Sequence, residues 1–276
     1  MRPSEVLQRA TVYLERHGVE DPWPSAEILM MHVTGMDRAA LYAREEGLDA
    51  REARMFGRAI CQRCTGTPVQ HLTGEQAFRG IVVQVRPGVF VPRPETEVLV
   101  EHGLEALGKS EDPVVVDVGT GTGAVALAIK SERPDAAVFA TDLSPEAVEL
   151  ASANAERLGL HVTVLGGDLL EPLPGDLRGW VDLVITNPPY IPTEELEGLP
   201  LEVRAEPRIA LEGGVELIDE LAGQALRWLR DGGAFVIEID ARFGVEASEI
   251  LARGFTDVRV ERDLAGRDRV VVARTP

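Results

Sequence analysis

From Pro113 onward the chain reads as short apolar runs of strand type that alternate with helical segments, a pattern that few architectures accommodate. VVVDVG (114–119) is apolar enough to be covered on both faces, and GAVALAIK (123–130) follows it as a helix. AAVFATD (136–142), a helix over 144–159, HVTVLGGD (161–168) and VDLVITN (181–187) continue the alternation. After a long irregular stretch come a helix around Leu217 to Leu229, GAFVIEID (233–240), a helix over 243–253, TDVRVERD (256–263) and DRVVVAR (268–274). Helical crossovers between strands predict an α/β fold with a doubly wound, mostly parallel, seven-stranded sheet. Only a short turn through Ala265 and Gly266 joins the last two strands, so they must be antiparallel to each other. Ligands of such sheets sit outside the carboxyl ends of the strands.

The chain before this region has a different rhythm. Val6, Leu7, Ala10, Tyr13 and Leu14 recur at helical spacing behind Ser4, and Gly18 stops the run. Pro24 opens a second helix with Ile28, Leu29, His32 and Val33, closed by Gly35, while Asp37 and Asp49 cap two more, the last running to about Cys64. Residues 1–75 are therefore predicted to form a small helical bundle. Ile81, Val82, Val83 and Val85, then Val89, Phe90 and Val91, make two β-type runs split by Arg86, Pro87 and Gly88, which predicts a hairpin linker over 76–92. The sheet domain then occupies 93–276, entered through Pro92, Pro94 and a helix opened by Glu95, Thr96 and Glu97.

Charge removes one class of function. The 28 Lys and Arg stand against 46 Asp and Glu, a net charge of −18, whereas tight binding to a phosphate backbone depends on basic side chains displacing counterions. No direct nucleic-acid contact is expected. Cys61 and Cys64 form a lone C-x-x-C without the second ligand pair that a structural zinc site needs, so they read as ordinary thiols and no metal is expected. Trp23, Trp180 and Trp228 read as packing residues. MRPSEVLQRA lacks an apolar signal core and no long apolar run follows, so a cytoplasmic location without membrane association is expected.

Chemistry concentrates at the strand ends. The first strand of the sheet runs into Gly119, Thr120, Gly121, Thr122, Gly123 and Ala124, where glycines permit a tight turn and backbone N–H groups at a helix start can meet negative charge. The next strand ends in Asp142, placed to accept hydrogen bonds from two ribose hydroxyls. These residues also satisfy the G-x-G-x-x-A of a dinucleotide site, so by themselves they specify only an adenosine-containing cofactor. Asn187-Pro188-Pro189-Tyr190 narrows the choice. Two prolines hold the backbone while withholding N–H groups, which leaves carbonyls to face a ligand. An Asn side-chain oxygen and a proline carbonyl together accept both hydrogens of a planar –NH2 group, and Tyr190 offers a flat face against it.

VVVDVGTGTGAVALAI, FATDLSPEAV and ITNPPYIP together resemble the class I S-adenosylmethionine-dependent methyltransferases that modify planar amino nitrogens. FVPRPETEVLV (90–100), VRAEPRIALEGG (203–214) and DLAGRDRVVVAR (263–274) further resemble the HemK/PrmC type, the protein-(glutamine-N5) methyltransferases of peptide chain release factors. The resemblance spans essentially the whole chain. It implies that Gly119, Thr120, Gly121, Thr122 and Gly123 line the methionine and ribose part of S-adenosylmethionine. Asp142 would hold the ribose hydroxyls, Asp168 would accept from the adenine amino group, Leu169 would lie beside the adenine, and Asn187 would border the cofactor as well as the substrate. Asn187, Pro188, Pro189 and Tyr190 would bind and align the substrate amide. The helical bundle would recognise the protein substrate.

The resemblance implies methyl transfer to the Gln of a Gly-Gly-Gln motif in release factors, with S-adenosylhomocysteine as product, by a monomer. A glutamine methyltransferase for a ribosomal protein, or an adenine-N6 methyltransferase of nucleic acid, shares Asn-Pro-Pro-Tyr; the acidic charge counts against the latter. The family often has Glu-Ile-Gly after its fifth strand. Here Glu238-Ile239-Asp240-Ala241-Arg242 stands there, and no catalytic role is read from it. Arg93 and Glu95 are read either as closing the cofactor pocket or as forming a salt bridge.

Overall fold

A computed structural model describes residues 1–276, which divide into two compact units. The first comprises Met1–Glu75 with Leu199–Ala205, the second Gln76–Gly198 with Glu206–Pro276. In the first unit lie α1 (Pro3–Arg16), α2 (Pro22–Thr34), α3 (Arg38–Ala43), α4 (Ala50–Cys64) and α5 (Val69–Thr73). Asp37 and Asp49 cap α3 and α4 by accepting from backbone N–H groups of Ala40, Arg51 and Glu52. Leu7, Leu14, Leu29, Met30, Leu41 and Phe56 form the core of this bundle. Arg63, almost wholly buried within it, is neutralised by Glu202 at 2.6 Å.

The second unit begins with β1 (Glu75–Phe78) and β2 (Ile81–Gln84), continues through α6 (Thr96–Leu107), β3 (Val114–Val118), α7 (Ala124–Glu132), β4 (Ala137–Asp142), α8 (Pro145–Leu158), β5 (Val162–Gly166) and β6 (Val181–Thr186), and is interrupted by α9 (Leu201–Arg204), which belongs to the first unit. It closes with α10 (Val215–Trp228), β7 (Leu229–Glu238), α11 (Gly244–Leu251), β8 (Thr256–Arg262) and β9 (Asp268–Arg274). The seven strands β3 to β9 form one sheet in the order β5-β4-β3-β6-β7-β9-β8, parallel except that β9 runs antiparallel to both its neighbours. The alternation after Pro113 thus folds as its pattern predicts. One face of the sheet is covered by an apolar layer that includes Leu99, Leu127 and Ile129, the other by one that includes Leu221, Trp228 and Leu251.

Three sequence expectations need correction. The hairpin pairs β1 with β2 through Arg79 and Gly80, and Val89–Val91 is not a strand. Both turn residues have positive φ, 41° and 77°, as a two-residue hairpin turn of this twist demands. Arg79 is held there by its bonds to Glu97 and Glu132, a cause that turn-residue statistics cannot signal. Second, the hairpin is no bare linker, because Phe78, Ile81, Val83 and Val85 sit in the same core as the sheet. Third, the sheet unit is not continuous over 93–276, since 199–205 leaves it. No helix is long and apolar enough to cross a membrane.

Asn154 on α8 ties the hairpin to the sheet. Fully buried, it accepts from the Gln84 N–H at 2.7 Å and donates to the carbonyls of Gln84 and Thr122 at 3.0 and 2.9 Å. Asn154→Ala leaves these backbone groups unpaired in the interior, and its unfolding free energy in urea is expected to fall by about 1–3 kcal/mol.

Candidate active site

The sheet register determines which residues meet. Leu165, Thr141, Val118, Thr186 and Ile237 lie side by side across β5, β4, β3, β6 and β7. The residue after each, namely Gly166, Asp142, Gly119, Asn187 and Glu238, therefore forms one row at the carboxyl edge. The strand order reverses at β3 and β6, so Gly119 and Asn187 emerge from adjacent strands at the switch point.

The glycine loop is wound on its own carboxylates. Gly119, Gly121 and Gly123 have φ of 70°, 56° and 84°, a region that only glycine occupies cheaply. A Cβ on Gly119 or Gly121 would meet nothing, so their backbone faces open space, whereas at Gly123 it would press on Leu127 and Ala151. Thr141 carbonyl accepts from the N–H groups of Gly119 and Thr120, and Asp142 Oδ2 accepts from that of Gly121 at 2.8 Å. Asp117, buried beneath the loop, accepts from Thr120 Oγ1 at 2.6 Å and from the Ala126 N–H at 3.1 Å. The expectation of free amides awaiting negative charge fails for these groups, because acceptors of β3 and β4 already take them.

Asp142 is positioned from both ends, its Oδ1 accepting from the Ser144 N–H at 2.9 Å. Burial raises its pKa against the pull of the Ser144 and Gly121 N–H bonds. Asp117 is pushed up by burial to about 7, with the bonds from Thr120 and Ala126 opposing and the charge of Asp142 adding to the rise. Beyond β5, Asp168 is exposed, and Leu169 takes a φ of 44° that turns its side chain onto the core on the α10 side of the sheet. Buried Thr122 leaves its hydroxyl without a partner.

After β6, Thr186 anchors the strand end by donating to the Val118 carbonyl at 2.8 Å. Asn187 is half-buried, and its Nδ2 donates to Thr96 Oγ1 of α6 at 3.2 Å. Its oxygen is thereby turned away from Thr96, and the carbonyl of buried Pro188 takes no hydrogen bond from within the chain. The loop is clamped from one side by 211–213: Ile191 N–H donates to the Leu211 carbonyl, and Gly213 N–H to the Ile191 carbonyl, at 2.9 and 3.0 Å. A Cβ at Gly213 would stand 1.9 Å from the Pro189 oxygen. Tyr190 lies in a largely buried position near Glu238 and Arg269, and burial pushes its hydroxyl up to about 12.

One of the two sequence readings of Arg93 holds, and several further contributors were not read from the sequence. Arg93 resolves to a salt bridge, 3.1 Å from Glu206, whose side chain is fully buried and also accepts from the Val91 N–H. Glu238 is 2% exposed, leaves its Oε2 without a hydrogen-bond partner, and is pushed up by burial to about 7, with neighbouring Thr96 and Arg269 opposing. A lone carboxylate inside the apolar run AFVIEI was the available signal. Gly213 carried none, because its need lies in a neighbour distant in sequence. Cys61 is exposed and Cys64 half-buried, and no three His, Cys, Asp or Glu residues gather as a metal site. Trp228 packs as expected, but Trp180 and Trp23 are exposed, at 69% and 38%, and do not.

Residues 5–74 match the PrmC N-terminal domain family and residues 81–198 the methyltransferase small domain family. A release factor glutamine methyltransferase of Moorella thermoacetica is 44% identical over 98% of this chain and 97% of its own length. One from Deinococcus radiodurans is 41% identical over 99% of each. The chain belongs to the release factor glutamine methyltransferase family. It is therefore an enzyme of the methyltransferase class. The chain also superimposes on the T. thermophilus 16S rRNA N2 G1207 methyltransferase solved with AdoMet and guanosine, at a TM-score of 0.56 and 21% identity over 73% of this chain and 50% of that one, a likeness of fold.

Two outcomes follow from this geometry. Gly213→Ala must displace the Pro189 carbonyl, and steady-state methyl transfer is expected to fall by about a hundredfold because the loop bearing Asn187 shifts by the order of an ångström. Asp117 carries a folded pKa raised above its unfolded value, so the stability it contributes is complete below about pH 4 and lost as pH rises through about 7. Thermal melts from pH 5 to 8 are expected to show a declining midpoint, and Asp117→Asn a flatter profile.

Proposed function

We propose that this enzyme transfers a methyl group from S-adenosylmethionine to the side-chain amide nitrogen of the Gln in a release factor Gly-Gly-Gln motif. The observation that carries the reading is the pairing, at the end of β6, of an Asn187 oxygen turned away from Thr96 with a Pro188 carbonyl that no group of the protein engages. Two acceptors side by side on a proline-stiffened turn suit a flat –NH2 group with two donors. The full-length relatives, release factor glutamine methyltransferases, support that chemistry.

The donor set at the neighbouring strand ends suits the cofactor. Loop amides committed to Thr141 and Asp142 cannot cradle a pyrophosphate, which speaks against a dinucleotide, and buried carboxylates at Asp117 and Asp142 favour a cationic ligand without phosphate. When bound, S-adenosylmethionine supplies a methyl group on a sulfonium that departs as the neutral thioether of S-adenosylhomocysteine. Asp142 would hold the ribose hydroxyls, the open backbone of Gly119 and Gly121 would admit the methionine part, with Thr120, Thr122 and Gly123 shaping the turn, and Asp168 and Leu169 would border the adenine.

An amide nitrogen is a poor nucleophile because its lone pair is delocalised into the carbonyl, so the protein's contribution is alignment. Asn187 Oδ1 and the Pro188 carbonyl hold both amide hydrogens and aim the nitrogen at the methyl group, with Pro189 stiffening the turn and Tyr190 packing on the amide plane. As the N–C bond forms, positive charge grows on the nitrogen and both hydrogen bonds strengthen, which stabilises the transition state over the ground state. The alkylated nitrogen is then acidic enough to shed a proton without a dedicated strong base.

Incubation with labelled S-adenosylmethionine and purified release factor tests the reading. Label is expected in the wild-type factor and absent after Gln→Ala in its Gly-Gly-Gln motif; label in the mutant factor, or only in DNA, overturns it. Asn187→Ala is expected to abolish transfer while leaving cofactor affinity within about threefold, whereas Asp142→Ala is expected to weaken cofactor binding about tenfold or more.

A further inference from the structure

We infer that the carboxylate of Glu238 stabilises the transition state of methyl transfer through space, because positive charge moves towards it as the methyl group passes from the cofactor sulfur to the substrate nitrogen. The inference rests on the reading of Asn187 and Pro188 as the acceptors that hold the substrate amide.

Strand order sets the distances. Asp142, Gly119, Asn187 and Glu238 follow one another along the carboxyl edge, on β4, β3, β6 and β7. Neighbouring strands lie about 4.8 Å apart, so Glu238 stands one step, about 5 Å, from the level of Asn187 and two steps, about 10 Å, from that of Gly119. On the proposed reading the sulfonium binds over β3 and β4 and the amide over β6. The charge is therefore far from Glu238 on sulfur and nearer to it on nitrogen. Asp142 lies at the other end of the row, and its attraction weakens over the same course. Only an interaction that grows along the reaction lowers the barrier from the bound state.

The pleat puts Glu238 on the same face as the amide site. Ile237 and Ile239 join the layer on the α10 side, so Glu238 between them projects to the α6 side. Asn187 projects there too, since it reaches Thr96 at the start of α6 and Ile185, two residues before it, belongs to the α6-side core. Glu238 is 2% exposed and its Oε2 has no hydrogen-bond partner, so neither water nor a donor of the chain screens that oxygen. In such an interior a charge acts over several ångströms with a strength that bulk water would erase.

Glu95 and Thr96 face Glu238 from the opening of α6, Arg269 from β9 and Tyr190 from the loop after β6. Arg269 forms its own ion pair with Asp263, at 3.1 Å, and Asp240 beyond β7 forms one with Arg242 at 2.9 Å. Burial pushes Glu238 up to about 7, Thr96 and Arg269 oppose, and Glu95 adds to the rise. The stabilising, ionised form is thus gained as pH rises through that range. A bound sulfonium favours ionisation, so in the complex the step falls at or below about 7.

Full-length Glu238→Gln removes the charge and keeps the shape. With release factor as substrate and S-adenosylmethionine saturating, its single-turnover rate of methyl transfer is expected to be about tenfold below wild type near pH 8. The two rates are expected to converge towards about pH 5, where the wild-type carboxyl is itself protonated. The dissociation constant for S-adenosylmethionine, measured by calorimetry, is expected to change less than about threefold. A rate ratio constant across pH, as lost packing would give, a wild-type rate in Glu238→Gln near pH 8, or a fall in cofactor affinity matching the fall in rate would each overturn the inference. The wild-type enzyme alone provides a second test should the variant fail to fold: a single-turnover rate that does not rise with pH between about 5 and 8 overturns it as well. Asn187→Ala run alongside distinguishes the two levels. Its inactivity with an unaffected Glu238→Gln sinks the role of Glu238 alone, whereas its retained activity sinks the reading of Asn187 and the inference together.

Discussion

Parallel register is the constraint on which the site depends. Five strands pair so that Leu165, Thr141, Val118, Thr186 and Ile237 share a level, and each chain must change direction just beyond it. A one-residue slip between any two of these strands would move a row residue to the opposite face of the sheet. The two apolar layers prevent that slip, since Val116, Val184 and Phe235 serve one face while Val115, Leu183, Ala234 and Val236 serve the other. Core packing therefore places Asp142, Asn187 and Glu238 as a by-product of burying the strands that carry them, which is why a site built on strand ends can be held more tightly than one built on loops.

The electrostatics of this edge are unusual for an interior. Asp117, Asp142 and Glu238 are all raised by burial, and the opposing influences are mostly hydrogen bonds from neutral groups. Only Arg269, itself bound to Asp263, lends Glu238 a positive charge. Such an edge repels phosphate and gains when a cation arrives, because a positive neighbour restores the ionised form that burial disfavours. The −18 net charge is thus not only a property of the solvated surface. Part of it is concentrated where the proposed chemistry needs it.

Much of this was legible in the sequence, and the reasons for the rest are specific. The apolar runs gave strand order its raw material, and both Gly119 to Gly123 and Asn187 to Tyr190 fall at strand ends where the alternation places them. The hairpin was misplaced because Arg79 is not a turn former by composition; Glu97 and Glu132 make it one through contacts 18 and 53 residues away. The glycine loop looked like an anion cradle because motifs show which residues have N–H groups and not where those groups are spent. Thr96, Glu206 and Gly213 act through partners 91, 115 and about 24 residues away, the first two by hydrogen bonds and the last by a steric limit, and local pattern has no access to such pairs. Glu238 was visible as an anomaly within an apolar strand, though its meaning required knowing what stood beside it.

The chain passes between the two units three times, at 75/76, 198/199 and 205/206. Synthesis runs from one end, so when the first helices leave the ribosome the segment that completes their unit has not been made. Arg63 then has no Glu202 to neutralise it, and Gly66 lacks the Leu201 side chain against which it is packed in the finished protein. The helical unit must wait for β3 to β6 to be translated before it can close. Its final assembly is consequently timed by the sheet, and a helical fragment cut at the obvious boundary would leave Arg63 without its counterion.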